Sequence, residues 1–170
     1  EPEKLKVSLR KKKAVLALFE NKNLKSCDCL VACSEQEALS LRDFGLSQPI
    51  VILPNGVSES LIRKKPPNKK DSAFKLKYDI RPNTRILLFL SRIHPFKGLE
   101  LFLECILAIK DEFRKNNWIF VIAGINELSH EEELKIFVEN NDINDIVRFI
   151  CPQYKQDKVN TFDSADCFIL

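Results

Sequence analysis

The 170-residue chain is 45% hydrophobic and 30% charged, with a formal net charge of +3. That balance excludes a chain disordered throughout, and so small a net charge does not by itself point to a polyanionic partner. No apolar run reaches the ~20 residues that span a bilayer, and the first ten residues lack the apolar core of a secretory signal, so a reducing cytoplasmic setting is expected.

Most of the six cysteines stand in apolar runs such as Cys29-Leu-Val-Ala-Cys33, which predicts buried free thiols rather than disulfides. Cys27-Asp-Cys29 has the wrong spacing for zinc, and no metal site is expected. The chain begins without Met and ends in the apolar run Cys167-Phe-Ile-Leu170, which reads as a buried strand. A fragment of a longer protein is therefore expected, with an unpaired apolar sheet edge near Leu170.

Residues Glu3 to Asn23 scatter Leu5, Leu9, Val15, Leu16, Leu18 and Phe19 among lysines and arginines, with Pro2 where a first turn tolerates it. They predict a basic amphipathic helix whose lysines face water, peripheral contact with anionic lipid being the second reading. A short strand over Cys29–Cys33 follows, and then a helix opened by Ser34 with Glu37 three residues on, the pattern of a capping box. That helix should stop at Gly45, which readily takes a left-handed conformation. A strand over Ile50–Leu53 then runs into Pro54-Asn55-Gly56, a turn signal.

Helix, strand, helix and strand up to about Val57 suit the closing part of one parallel α/β domain. Residues 58–83 gather basic side chains around Pro66-Pro67 and read as an extended linker, with a short helix over Asp71–Tyr78. From residue 84 to 170 strand and helix alternate strictly: strands at Arg85–Leu90, Trp118–Ala123, Ile146–Ile150 and Cys167–Leu170, helices at Gly98–Lys115, Ser129–Asn140 and Lys155–Ser164. Right-handed crossovers make this a doubly wound parallel sheet with four strands in this stretch.

Ligands of such sheets sit beyond the carboxyl ends of the strands, where strand order reverses. The loop after the first strand of the second series is Ser91-Arg-Ile-His-Pro-Phe-Lys-Gly98. Arg92 offers a planar fork of donors, Lys97 a point charge, and the helix that follows offers its N-terminus, a combination suited to a diphosphate. His94 lies in the same loop, and Gly124 with Ile-Asn-Glu127 follows the next strand. His130, ahead of Glu131–Glu133 at a helix start, reads as structural. Neither G-x-G-x-x-G nor a Walker A sequence occurs, which speaks against the usual dinucleotide and nucleoside-triphosphate fingerprints.

Taken in order, Val31-Ala-Cys-Ser34, Pro54-Asn-Gly-Val57, the loop from Ser91 to Gly98, Val121-Ile-Ala-Gly124 and Ser164-Ala-Asp-Cys-Phe-Ile-Leu170 resemble the family 4 (group 1) glycosyltransferases of the GT-B fold. The resemblance implies two Rossmann-like domains. Residues 1–57 would close the acceptor-side domain, 58–83 would link, and 84–170 would be the first half of the domain that holds a nucleotide-diphosphate sugar. It implies transfer of a hexosyl group to an acceptor hydroxyl with retention, no cofactor and no metal, in the manner of polysaccharide biosynthesis enzymes. It assigns Arg92 and Lys97 to the donor diphosphate and makes Asn55, Gly56, His94, Gly98 and Gly124 candidates for donor-site loops. The family's catalytic glutamates would fall beyond Leu170, so this stretch alone is expected to be inactive. Cys151 departs from the glycine usual at its position. A saccharide or lipid-linked acceptor is expected, nucleic acid is not, and the setting is cytoplasmic or peripheral to the inner membrane face. The alternative is a non-catalytic α/β module that binds a nucleotide or another anion.

Overall fold

The computed structural model describes residues 9–57 and 73–170, which fall in two compact units divided at Ile62 and Arg63. The expected helical start before Leu9 and the Pro66-Pro67 stretch lie outside the described residues.

In the first unit, helix α1 (Leu9–Val15) passes through a π turn (Leu16–Glu20) into α2 (Asn21–Ser26), so the expected basic helix carries one wide turn. Val15, Leu18 and Phe19 are exposed on it. Strand β1 (Leu30–Ala32) pairs in parallel with β2 (Ile50–Ile52). Between them lies α3 (Glu35–Asp43), whose first turn is closed as the sequence predicts. Ser34 Oγ accepts from the Glu37 amide at 3.2 Å, while Glu37 Oε2 accepts from the Cys33 amide at 2.6 Å. Gly45 ends the helix in the left-handed region at φ 90°. The Pro54-Asn-Gly56 signal gives no hydrogen-bonded turn: residues 53–57 carry no regular structure, and Gly56 has an ordinary φ.

The second unit is a four-stranded parallel sheet in the order β5-β4-β3-β6, with β3 at Arg85–Leu90, β4 at Trp118–Ala123, β5 at Val147–Ile150 and β6 at Cys167–Ile169. Helices cover both faces, so the strands are apolar on both sides and read as continuous hydrophobic runs. Phe89, Phe120, Ile122 and Val147 pack with Leu99, Leu103 and Ile106 of α5 (Leu99–Ala108), Phe113 of α6 (Lys110–Lys115), and Leu134 and Val138 of α7 (His130–Asn140). The other face carries Ile86, Leu88, Ile119, Val121 and Ile150 against Phe74 of α4 (Ala73–Lys77) and Ala165, just past α8 (Lys155–Ser164). Phe74 and Ile80 are thus core residues of this unit, and its packing begins inside the segment expected to be linker. Asp166 ties β6 to the centre: its backbone N–H donates to Ile86 O at 2.9 Å and its carboxylate accepts from the Ile86 amide at 2.9 Å.

Two expectations need correction. The single helix expected over Gly98–Lys115 is interrupted at β-branched Ile109 (φ −115°, ψ 20°) and resumes as α6, whose Phe113 ring stands 6.1 Å from that of Trp118. The cysteines are free as expected but not buried, for five are exposed and Cys27 is half-buried. Cys29 and Cys33 flank a three-residue strand, Cys167 heads the edge strand β6, and Cys105 turns outward on α5, so each apolar run leaves its thiol on the solvent side.

Gly124 lies tight against the β3 loop. A Cβ built on it would lie 1.7 Å from the carbonyl oxygen of Ser91, so the loops leaving β3 and β4 can run this close only where this side chain is absent. Gly124→Ala should therefore force those loops apart and destabilise the second unit by about 1–3 kcal/mol, the usual range for overpacking. Urea unfolding followed through Trp118 fluorescence measures it, and an unchanged midpoint would contradict the close approach.

Candidate functional site

The loop after β3 is built by its apolar residue. Ile93 is fully buried, and its amide donates to Ile125 O at 2.8 Å while its carbonyl accepts from the Glu127 amide at 3.0 Å. The Ser91 amide donates to Ala123 O at 3.1 Å, so the β3–β4 ladder continues past both strands into their loops. Anchoring Ile93 leaves its neighbours Arg92 and His94 outside the core. His94 is consumed locally: Nδ1 accepts from the Phe96 amide at 3.1 Å and caps a single 3₁₀ turn (Pro95–Lys97), with the two rings 4.9 Å apart. Gly98 then takes φ 66°, which permits the sharp entry into α5, and as a cap it brings no side-chain acceptor. The amides of Leu99, Glu100 and Leu101 have no acceptor among the described residues, which leaves the positive end of α5 open to an anion.

Arg92, Lys97 and this helix end come from one loop, at the carboxyl edge of β3. The strand order places that edge at the reversal: the β3-to-β4 crossover moves one way, and β6 returns to the other side of β3. Lys97 is half-buried and has no carboxylate partner among the described residues. Arg92 does have one. Its Nη1 donates to both carboxylate oxygens of Glu127 at 3.2 Å each, with the arginine 63% and the glutamate 31% exposed. The sequence places Glu127 in the loop after β4 but gives no sign that it pairs with Arg92. Its one signal in the sequence is an acidic residue three places beyond the glycine that ends β4.

The β4 loop is held from the other side by Asn126, whose Oδ1 accepts from the Glu131 amide at 3.0 Å. Its Nδ2 donates to the Glu132 carboxylate at 2.9 and 3.1 Å, and these bonds hold that carboxyl below its ordinary range. Asn126 thereby caps the first turn of α7, while Ser129, where the helix was expected to begin, sits with Leu128 in the left-handed region. His130 is buried between helix starts, with Nδ1 3.1 Å from Glu133 and Nε2 3.0 Å from Glu100 but out of hydrogen-bond alignment with it. After β5, Gln153 is buried and donates to Tyr78 Oη at 2.9 Å and to Cys151 O, and its Oε1 accepts from Thr161 at 3.3 Å. Cys151 and Pro152 therefore sit in a braced loop.

The second unit alone carries Arg92, His94, Lys97, Gly98 and Gly124. Asn55 and Gly56 belong to the first unit, past the end of β2, where the Asn55 side chain lies 3.6 Å from Cys33 Sγ. Among the described residues no group of three or more His, Cys, Asp or Glu is arranged to hold a metal ion, and no helix is long and apolar enough to cross a membrane.

A profile of the family described as glycosyl transferases group 1 matches residues 70–170. The chain belongs to this family. A relative, the D-inositol 3-phosphate glycosyltransferase of Kineococcus radiotolerans, is 24% identical in an alignment of 157 residues that covers 86% of this chain and 35% of that protein. Among solved structures, Anabaena HepE, determined in complex with UDP-glucose, is similar with a TM-score of 0.76 at 15% identity, over 99% of this chain and 43% of that one. WaaG, a glycosyltransferase involved in lipopolysaccharide biosynthesis, gives 0.75 at 17% identity, over 98% and 46%. These likenesses establish the GT-B type of α/β fold, only partly present here, since the group 1 chain spans less than half the length of each of these relatives.

Proposed function

We propose that this chain carries the donor-diphosphate site of a glycosyltransferase that moves a hexosyl group from a nucleotide-diphosphate sugar to an acceptor hydroxyl, with retention. The observation that carries this reading is the convergence of Arg92, Lys97 and the uncapped start of α5 on one loop at the strand-order reversal. A diphosphate leaving group gains negative charge as the glycosidic bond breaks. Fixed cations and helix amides aimed at that charge stabilise the transition state without reorganising. The chain is proposed to need residues beyond these 170 for transfer, because the family resemblance puts the sugar-handling glutamates after Leu170. Uridine diphosphate is the first ligand to test, since HepE was determined in complex with UDP-glucose and with UDP.

Calorimetry with UDP, GDP and ADP tests the reading. One of the three should bind, and Arg92→Ala with Lys97→Ala should weaken it by at least about a hundredfold, the lower bound for losing two charge-assisted contacts of about 1.5–3 kcal/mol each. Equal binding by the double variant would remove the diphosphate role from this loop.

Glu127 gives a second test with the opposite sign. It neutralises Arg92 in the unliganded chain, and a diphosphate must displace it. An exposed pair of this kind contributes about 0–1 kcal/mol, so Glu127→Gln should tighten the nucleoside diphosphate by up to about fivefold and leave the uncharged nucleoside unaffected. Weaker diphosphate binding would make Glu127 a support for Arg92 rather than a competitor.

The diphosphate charge is proposed to be met by side chains and helix amides rather than by a metal ion. Binding of the nucleoside diphosphate should therefore survive a chelator unchanged, and its loss on chelation would assign that charge to a divalent cation.

A further inference from the structure

The second unit has a cavity of about 560 Å³ at the amino ends of β3, β4 and β5, the sheet edge opposite Arg92 and Lys97. Its charged lining is Asp79, Arg81, Arg114, Asp145 and Arg148, and Trp118 and Ile80 form part of its apolar wall. The charges are not mutually satisfied. Arg114 and Asp145 cancel: Nε and Nη2 of the arginine donate to the two carboxylate oxygens at 2.8 and 2.9 Å, and these bonds hold the Asp145 carboxyl below its ordinary range. Arg81 and Arg148 have no carboxylate partner among the described residues, and the Nε of Arg148 is buried with no acceptor. The buried Lys75 side chain donates to Pro82 O and Thr84 O at 2.7 Å each and so holds the turn that presents Arg81. Among the described lining residues, Asp79 is the one carboxylate left to oppose Arg81 and Arg148.

An orphaned guanidinium nitrogen in a protein interior is uncommon and marks an absent acceptor. Two unpaired arginines present planar donor forks, the geometry that matches tetrahedral oxyanions, and the apolar wall suits the body of an ester. We propose that this cavity binds a small phosphate monoester, its phosphate taken by Arg81 and Arg148 and its body lying along Trp118. The site is independent of the donor reading, since it shares no residue with the Arg92 loop.

Trp118 is the only tryptophan in the chain, so the cavity carries its own reporter. Inorganic phosphate and phenyl phosphate, titrated at constant ionic strength against chloride, should change Trp118 fluorescence saturably, with phenyl phosphate binding more tightly. Arg148→Met should weaken both at least tenfold. Arg81→Gln, on the exposed rim where folding is not at stake, should weaken both severalfold, and Arg92→Ala with Lys97→Ala should leave both intact. A non-saturable response, a response matched by chloride, or equal affinity in Arg81→Gln and a correctly folded Arg148→Met would each overturn the proposal. Loss of binding only in the Arg92 and Lys97 variant would move the phosphate to the opposite edge and leave this cavity without a ligand.

Discussion

The arrangement of the second unit depends on one close approach, the backbone of Gly124 against the carbonyl of Ser91. Because no Cβ separates them, the β3 and β4 ladders run on for several residues beyond the strands, through the pairings of Ser91 with Ala123 and of Ile93 with Ile125 and Glu127. Two βα loops become one laced surface. Lacing fixes which residues face inward, and with Ile93 buried the side chains on either side of it are left at the edge. It also sets Glu127 opposite Arg92, so the pair reports the register of the loops as much as any attraction between charges.

A sheet covered on both faces leaves charge few places to go. Along β3 and β4 the interior positions are apolar whichever way they point, so polar chemistry is displaced to the two ends of the strands. The carboxyl edge holds Arg92 and Lys97, and the amino edge holds Arg81, Arg114 and Arg148. The edges differ in how their charges are met. At the carboxyl edge one arginine is held by a half-buried carboxylate. At the amino edge one arginine is locked in a bidentate pair and two others stand without a carboxylate among the described residues.

Much of this was legible in the sequence, because the signals that dominate a wound α/β unit are local. Continuous apolar runs marked β3 and β4 to the residue, and Ser34 with Glu37 marked the start of α3. What escaped depends on contacts that sequence spacing does not encode. The interruption at Ile109 is invisible in the apolar period of Leu103, Ile106 and Phe113, which runs on as if one helix continued. Asn126 caps α7 from four residues upstream because Leu128 and Ser129 take left-handed conformations, and nothing about Leu128 announces one. The thiols were read as buried from the company they keep, yet three-residue strands and sheet edges turn alternate residues outward. At the candidate site, Arg92 and Lys97 stand out by their place before a helix, whereas the pairing of Glu127 with Arg92 becomes visible only once the loops are known to be laced.

On the proposed reading, the Arg92–Glu127 pair also sets a threshold for what the site accepts. Lys97 and the amides of α5 are open to any anion, but Arg92 becomes available only to a ligand that outcompetes a carboxylate already aligned on it. A diphosphate spreads its charge over two phosphoryl groups, so it can occupy the helix end with one and offer the other to Arg92. A monophosphate held at the helix end leaves Glu127 in place and forgoes the second cation. Selection for a diphosphate would then come from the geometry of a single exposed ion pair, which is weak enough to open and still disfavours ligands that do not reach it.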